Sequence, residues 1–214
     1  MRKIGVLMMR MKSVKIIWLV IISCALFDCL MVLEQIQGIN IYLIGMMGAG
    51  KSTVGEILAN RLSYKFFDTD VLISQVSGQA IPEIFSTQGE EEFRNLESQV
   101  LSSLCAYQHL VVATGGGVVI KRMNWSYLRH GIIVWLDVPT HCLYERLKGD
   151  TTRPLLQHPD PLTRLDNILE TRRHLYQQAD ISITINGNEK PSEIAEQIIT
   201  KIPNILKQTQ PNLN

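Results

Sequence analysis

The residues best equipped for chemistry lie in one run of eight. Gly45-Met46-Met47-Gly48-Ala49-Gly50-Lys51-Ser52 satisfies G-x-x-x-x-G-K-S/T at every fixed position. Glycines allow the backbone to curl until successive N–H groups point inward, and a helix opening at Lys51 would add its positive end to the same anion site. Lys51 can then reach the outer phosphates of a nucleotide, and the Ser52 hydroxyl can take one position on Mg²⁺. Gly48, Ala49, Gly50, Lys51, Ser52 and Thr53 are therefore the candidate ATP-binding residues. A glycine-rich turn could match this pattern by chance, but here it follows an apolar run, Ile39–Ile44, and precedes a helical one.

Other candidates are weaker one at a time. Asp68 and Asp70 flank Thr69; either could serve a metal-bound water or a substrate hydroxyl, yet aspartates after a strand also simply cap helices. Arg94 and Glu97 stand three apart, so the carboxylate can aim the guanidinium, but such pairs are usually surface salt bridges. Gly115-Gly116-Gly117 lets a backbone approach a ligand closely, or it is a flexible turn. Arg173 reads as a solvated helix charge.

The elements that must position these residues alternate. Strands are predicted at 39–44, 65–67, 109–114, 131–137 and 181–185. Helices are predicted at 54–62, 71–85, 90–106, 140–147 (capped by Thr140), 162–178 and 191–202. Residues 149–161 contain glycine and three prolines and read as a mobile loop. Strand–helix alternation implies an α/β fold, with a central parallel sheet covered by helices on both faces. Ligands then bind at the carboxyl ends of the strands, where the glycine- and aspartate-rich motifs fall.

The ordered series Asp68-Thr69-Asp70, Phe93-Arg94-Asn95-Leu96-Glu97, Gly115-Gly116-Gly117, Arg153-Pro154-Leu155 and Arg172-Arg173-His174-Leu175-Tyr176 resembles the shikimate kinase family over about residues 39–200. The resemblance implies a three-layer P-loop kinase fold with a mobile lid. It implies phosphorylation of the 3-hydroxyl of shikimate by ATP, with one Mg²⁺ per subunit. In its terms Ser52 and Asp68 serve the metal, Asp68 through water. Asp70 binds the acceptor hydroxyls and is the candidate base. Arg94 and Arg172 take the carboxylate, with the Gly115, Gly116 and Gly117 backbone beside them. Arg153 swings in with the lid onto the phosphates, and Arg146 packs on adenine. Lys51, Asp70 and Arg153 are the expected catalytic residues. The resemblance leaves the segment Ile185–Asn188 without assigned adenine contacts. It also implies a cytoplasmic monomer.

Composition is consistent with these expectations. The chain has 214 residues, 46% hydrophobic, and a net charge of +1 from 21 basic and 20 acidic residues, so the basic excess of a nucleic-acid binder is missing. Cys24, Cys29, Cys105 and Cys142 form no C-x-x-C or zinc-like pattern. No N-K-x-D guanine signature occurs.

The N-terminus departs from the family: basic residues to Lys15 precede an apolar run from Ile16 to Leu33. Residues 1–38 are expected to lie outside the fold, and because Met31 opens a chain of ordinary family length, the segment upstream of it is expected to be an untranslated start. A membrane-associating extension and a targeting segment are the two alternatives, and membrane contact is expected only if 16–33 is really made. The expected domain is 39–203, with a flexible tail at 204–214. A gluconate kinase and a nucleotide-binding module without catalysis remain as rivals.

Overall fold

The computed structural model describes residues 36–149 and 160–209; Arg153, most of the expected lid and residues 1–35 lie outside the described residues. Five strands, β1 (Asn40–Ile44), β2 (Lys65–Asp68), β3 (Leu110–Ala113), β4 (Gly131–Asp137) and β5 (Ile181–Thr184), form one parallel sheet in the order β2-β3-β1-β4-β5. β1 and β3 are buried along their whole length, as central parallel strands covered on both faces must be. The described helices are α1 (Lys51–Leu62), α2 (Thr69–Ser77), α3 (Ile81–Thr87), α4 (Gly89–Leu104), α5 (Arg122–Leu128), α6 (Thr140–Leu147), α7 (Pro161–Tyr176) and α8 (Pro191–Thr209).

Handedness sorts these helices. The β1–β2 connection runs in one direction across the sheet, and the β2–β3, β3–β4 and β4–β5 connections run in the other. With right-handed crossovers α1 therefore falls on the opposite face from α2–α7. In agreement, α8 packs on α1, while α4 packs on α2, α3 and α5, and α6 packs on α7. The strand order reverses between β1 and β3, which makes a crevice at their carboxyl ends. Register brings the two chain exits together, since Leu43 pairs with Ala113. Thr114 then donates both its N–H and its hydroxyl to the Leu43 carbonyl, at 3.1 and 2.9 Å, and holds the loops after β1 and β3 side by side.

Several expected elements change. The helix expected over 71–85 is two: Gly78, at φ +67°, ends α2, and Pro82 sits in the first turn of α3, the residue types that stop and start helices. Helix α5 was not expected. Its buried Asn124 and Trp125 donate to the Val118 and Val119 carbonyls of the preceding 3-10 turn, at 2.8 and 2.9 Å, so tertiary burial builds it. Thr140 is the first residue of α6 rather than its cap, and its hydroxyl donates to Asp166 on α7. Ile36 belongs to the core, so the fold begins before residue 39. The closing helix does not stop at 202 but continues through Pro203 to Thr209, so residues 204–209 of the expected tail are helical.

Candidate active site

The phosphate loop connects β1 to α1. Gly45, Gly48 and Gly50 all have positive φ, at 140, 76 and 90°, which explains glycine at these positions. A Cβ on Gly45 would come within 2.7 Å of the Leu136 carbonyl oxygen, and one on Gly48 within 2.9 Å of the Leu147 side chain. Lys51 is nearly buried, and its ammonium donates to the Gly45 and Met46 carbonyls at 2.9 Å each. The cation is thus drawn back over the loop it belongs to. Arg146, in the last turn of α6, donates to the Gly48 carbonyl at 3.1 Å and borders the same cleft.

That cleft has a volume of about 480 Å³. The loop residues Gly48–Thr53 line it, opposite Asp68, Asp70, Thr114 and Gly116. Glu189, Pro191 and Ile194 close its far end. Sequence reading missed these last three because nothing in their types marks a ligand contact. Glu189 binds its own loop, accepting from the Asn186 and Gly187 N–H groups at 3.0–3.1 Å. Those donors hold its carboxyl below the usual range.

Asp68 caps α2, accepting from the Asp70 N–H at 2.9 Å, and so has the capping role that aspartate after a strand suggests. Its other oxygen accepts from the Ser52 hydroxyl at 2.5 Å. One side chain therefore ties the phosphate loop to the aspartate pair. A hydroxyl and a carboxylate in contact are hard oxygen donors suited to Mg²⁺, which keeps several waters and needs few protein ligands. Thr69, fully buried between the aspartates, accepts from the Gly115 N–H at 3.0 Å and pins the glycine triplet to α2.

The acceptor side collects residues from four segments. Arg94 donates to Glu97 at 2.9 Å and to Glu90 at 3.2 Å. Its guanidinium lies against Gly117, where any Cβ would overlap it. Glu97 is fully buried; Oε2 holds Arg94, and Oε1 has no hydrogen-bond donor among the described residues. Burial pushes the Glu97 carboxyl above its ordinary value, Arg94 pulls it back, and Asp70 adds to the rise. A Cβ on Gly115 would lie 2.6 Å from that Oε1 and 2.9 Å from Asp70 Oδ1, so the missing side chain is what lets both carboxylates approach the triplet. Arg172, on α7, donates to the Gly116 carbonyl at 3.1 Å. Arg173 instead pairs with Glu170, away from this cluster.

The phosphate loop, both aspartates, Gly116 and Arg146 line the cleft itself, while Arg94 and Arg172 do not line it and instead border the Gly116–Gly117 peptide beside it. A sequence profile described as shikimate kinase matches residues 47–203. The chain belongs to the shikimate kinase family. A shikimate kinase from Nostoc sp. is 55% identical over 83% of this chain and 98% of its own length. One from Microcystis aeruginosa is 52% identical over 83% and 94%. Among solved structures, a shikimate kinase from Acinetobacter baumannii in complex with shikimate superposes with a TM-score of 0.75, at 38% identity, over 81% of this chain and 96% of that one. A gluconokinase from Sinorhizobium meliloti, at 19% identity and a TM-score of 0.51, shares the fold. Among the described residues of this family member, no helix is long and apolar enough to cross a membrane.

Proposed function

We propose that this family member transfers the γ-phosphoryl group of ATP to the 3-hydroxyl of shikimate, releasing shikimate 3-phosphate and ADP on the route to chorismate and the aromatic amino acids. One observation carries the choice of acceptor. Arg94 and Arg172 flank the Gly116–Gly117 peptide at the edge of the phosphate-loop cleft. Two guanidinium forks around a small pocket suit a single carboxylate, through charge-assisted hydrogen bonds.

ATP lies with its phosphates on Gly48–Thr53 and its base toward Arg146. Lys51 leaves the Gly45 and Met46 carbonyls for the outer phosphates, where its charge opposes the charge spreading over the transferred group. Ser52 and, through water, Asp68 would hold one Mg²⁺ per subunit, which would neutralise charge on the nucleotide phosphates. Arg94 and Arg172 grip the acceptor carboxylate, and the Gly115–Gly117 backbone limits how the ring can lie. Asp70 accepts the hydrogen bond of the reacting hydroxyl and takes its proton as the new O–P bond forms and the β–γ bridging bond breaks. The phosphoryl-transfer transition state is loose, so alignment and charge supply most of the acceleration. Arg153 is assigned to the phosphates when the lid closes over 148–161. We place the enzyme in the cytoplasm as a monomer, with the expected domain of 39–203 extended to take in Ile36 and the closing helix through Thr209.

The test is ADP release from MgATP by the full chain and by a chain starting at Met31, with shikimate, gluconate or no acceptor. Turnover with shikimate alone is expected. Turnover with gluconate, itself a carboxylate, would instead overturn shikimate as the acceptor. Nucleotide binding without turnover would favour a non-catalytic module. Light scattering on the same samples should give the mass of one chain.

A further inference from the structure

Three successive glycines make the least constrained backbone available to a protein. Yet the peptide joining Gly116 to Gly117 lies between the two arginines assigned to the acceptor carboxylate. Its orientation is fixed from outside the triplet. The Tyr176 hydroxyl donates to the Gly116 carbonyl at 2.6 Å, and Arg172, one turn earlier on α7, donates to the same oxygen at 3.1 Å. A carbonyl oxygen has two lone pairs, and both are engaged. Because the peptide is trans and planar, holding its C=O toward α7 turns the Gly117 N–H the opposite way. Gly117 is the residue against which the Arg94 guanidinium rests.

Tyr176 is itself rigidly held. It is fully buried, and its ring stacks on Trp135 with centroids 5.7 Å apart and planes 15° from parallel. Trp135 lies on β4 opposite Ile44, the last residue of β1. The hydroxyl also lies 3.7 Å from the sulfur of Met46 in the phosphate loop. A Cβ on Gly116 would be 3.3 Å from the Met47 nitrogen, so the triplet packs directly on that loop. A continuous path therefore runs from sheet to Trp135, to Tyr176, to the peptide between the arginines. Burial raises the phenol above its ordinary value, so it remains a neutral donor across the working pH range.

We propose that Tyr176 is a positioning residue for the acceptor site: its hydroxyl, together with Arg172, fixes the Gly116–Gly117 peptide and so sets the separation at which Arg94 and Arg172 grip one carboxylate. The proposal rests on the assignment of shikimate as acceptor. Tyr176 does not line the phosphate-loop cleft. Its effect is expected chiefly on the acceptor carboxylate, because the phosphate loop is also held by its own hydrogen bonds, from the Ala49 N–H to the Met46 carbonyl and from Lys51 to the Gly45 and Met46 carbonyls.

Tyr176→Phe keeps the ring and its stacking and removes only the hydroxyl. Kinetics of the full chain with shikimate and with its uncharged methyl ester measure the contribution of the carboxylate grip, and calorimetry gives the Kd for ATP. The expected result is a KM for shikimate raised about tenfold, the size of one lost hydrogen bond. The preference for acid over ester should shrink by about the same factor, with the Kd for ATP unchanged within about twofold. Leu62→Ala, in the core at the end of α1 and outside this path, is the control for loosened packing: it should lower the melting temperature and keep the acid preference. An unchanged preference in Tyr176→Phe would overturn the proposal. So would parallel loss of acceptor and nucleotide affinity in both variants, which marks a merely structural residue. Failure of the wild-type enzyme to phosphorylate shikimate would instead sink the acceptor assignment, a separable outcome.

Discussion

The nucleotide side and the acceptor side of the crevice are built in different ways. The phosphate loop is eight contiguous residues, Gly45–Ser52, whose backbone groups and following helix do the work. The acceptor side draws Asp70 from α2, Arg94 and Glu97 from α4, the triplet from the loop after β3, and Arg172 from α7. The first is a local structure that any β–loop–α unit of this sequence would form. The second exists only once the sheet has aligned β1 with β3 and the helices have packed. Phosphate binding should therefore withstand changes that destroy acceptor recognition.

Lys51→Ala should break the nucleotide side outright, lowering kcat/KM by about a thousandfold or more, the scale of losing a cation on transferring phosphate. Single-turnover measurements will check it, with shikimate binding by calorimetry expected to persist. Arg94→Lys keeps the charge but not the fork. A KM for shikimate raised about a hundredfold is expected, from lost charge-assisted hydrogen bonds, with nucleotide affinity preserved. Equal loss on both sides would show that the two halves are not separable. Gly115→Ala pushes a methyl group into Glu97 and Asp70. It should cost about tenfold in KM for shikimate, as expected for a displacement at the edge of a small pocket.

The smallest effect is on stability. Burial raises the Glu97 carboxyl above its ordinary 4.5. Between the ordinary and the raised value the native state holds more protons than the unfolded one, so this group's contribution to stability falls as pH rises through that window. Below the window the contribution is fully present. Glu97→Gln should remove that slope. Urea unfolding at a series of pH values should show wild type and variant diverging by on the order of 1 kcal/mol as pH rises. Parallel curves would mean that Glu97 is not perturbed.

Much of this was legible beforehand. The strands β1, β3 and β4 are short apolar runs that end at the glycine motifs or at Asp137, so period and punctuation placed them well. Helix α5 was invisible because Arg122–Leu128 has little apolar periodicity and forms around two buried side chains that bond to the preceding turn. The break at Gly78 was present in residue types but outweighed by apolar spacing on either side. Taken alone, Arg94 and Glu97 read as a surface pair; the neighbouring motifs assigned Arg94 to a ligand, and only packing shows the carboxylate fully buried beneath a glycine. Tyr176 was in view as the last residue of a motif, four positions after Arg172. Nothing in its spacing says that both reach one carbonyl.

By itself, the order of residues determined what depends on neighbours along the chain: the phosphate loop, the aspartate pair that starts α2, the alternation that demands a parallel sheet. These follow from backbone sterics and short-range hydrogen bonding, which act over a few residues. The tertiary structure alone decided which carboxylate is buried, that Arg94 and Arg172 face each other across one peptide, and that Tyr176 holds that peptide. Those relations join residues as far apart as Arg94 and Arg172, 78 positions along the chain. They depend on the strand order β2-β3-β1-β4-β5, which brings distant loops to one edge.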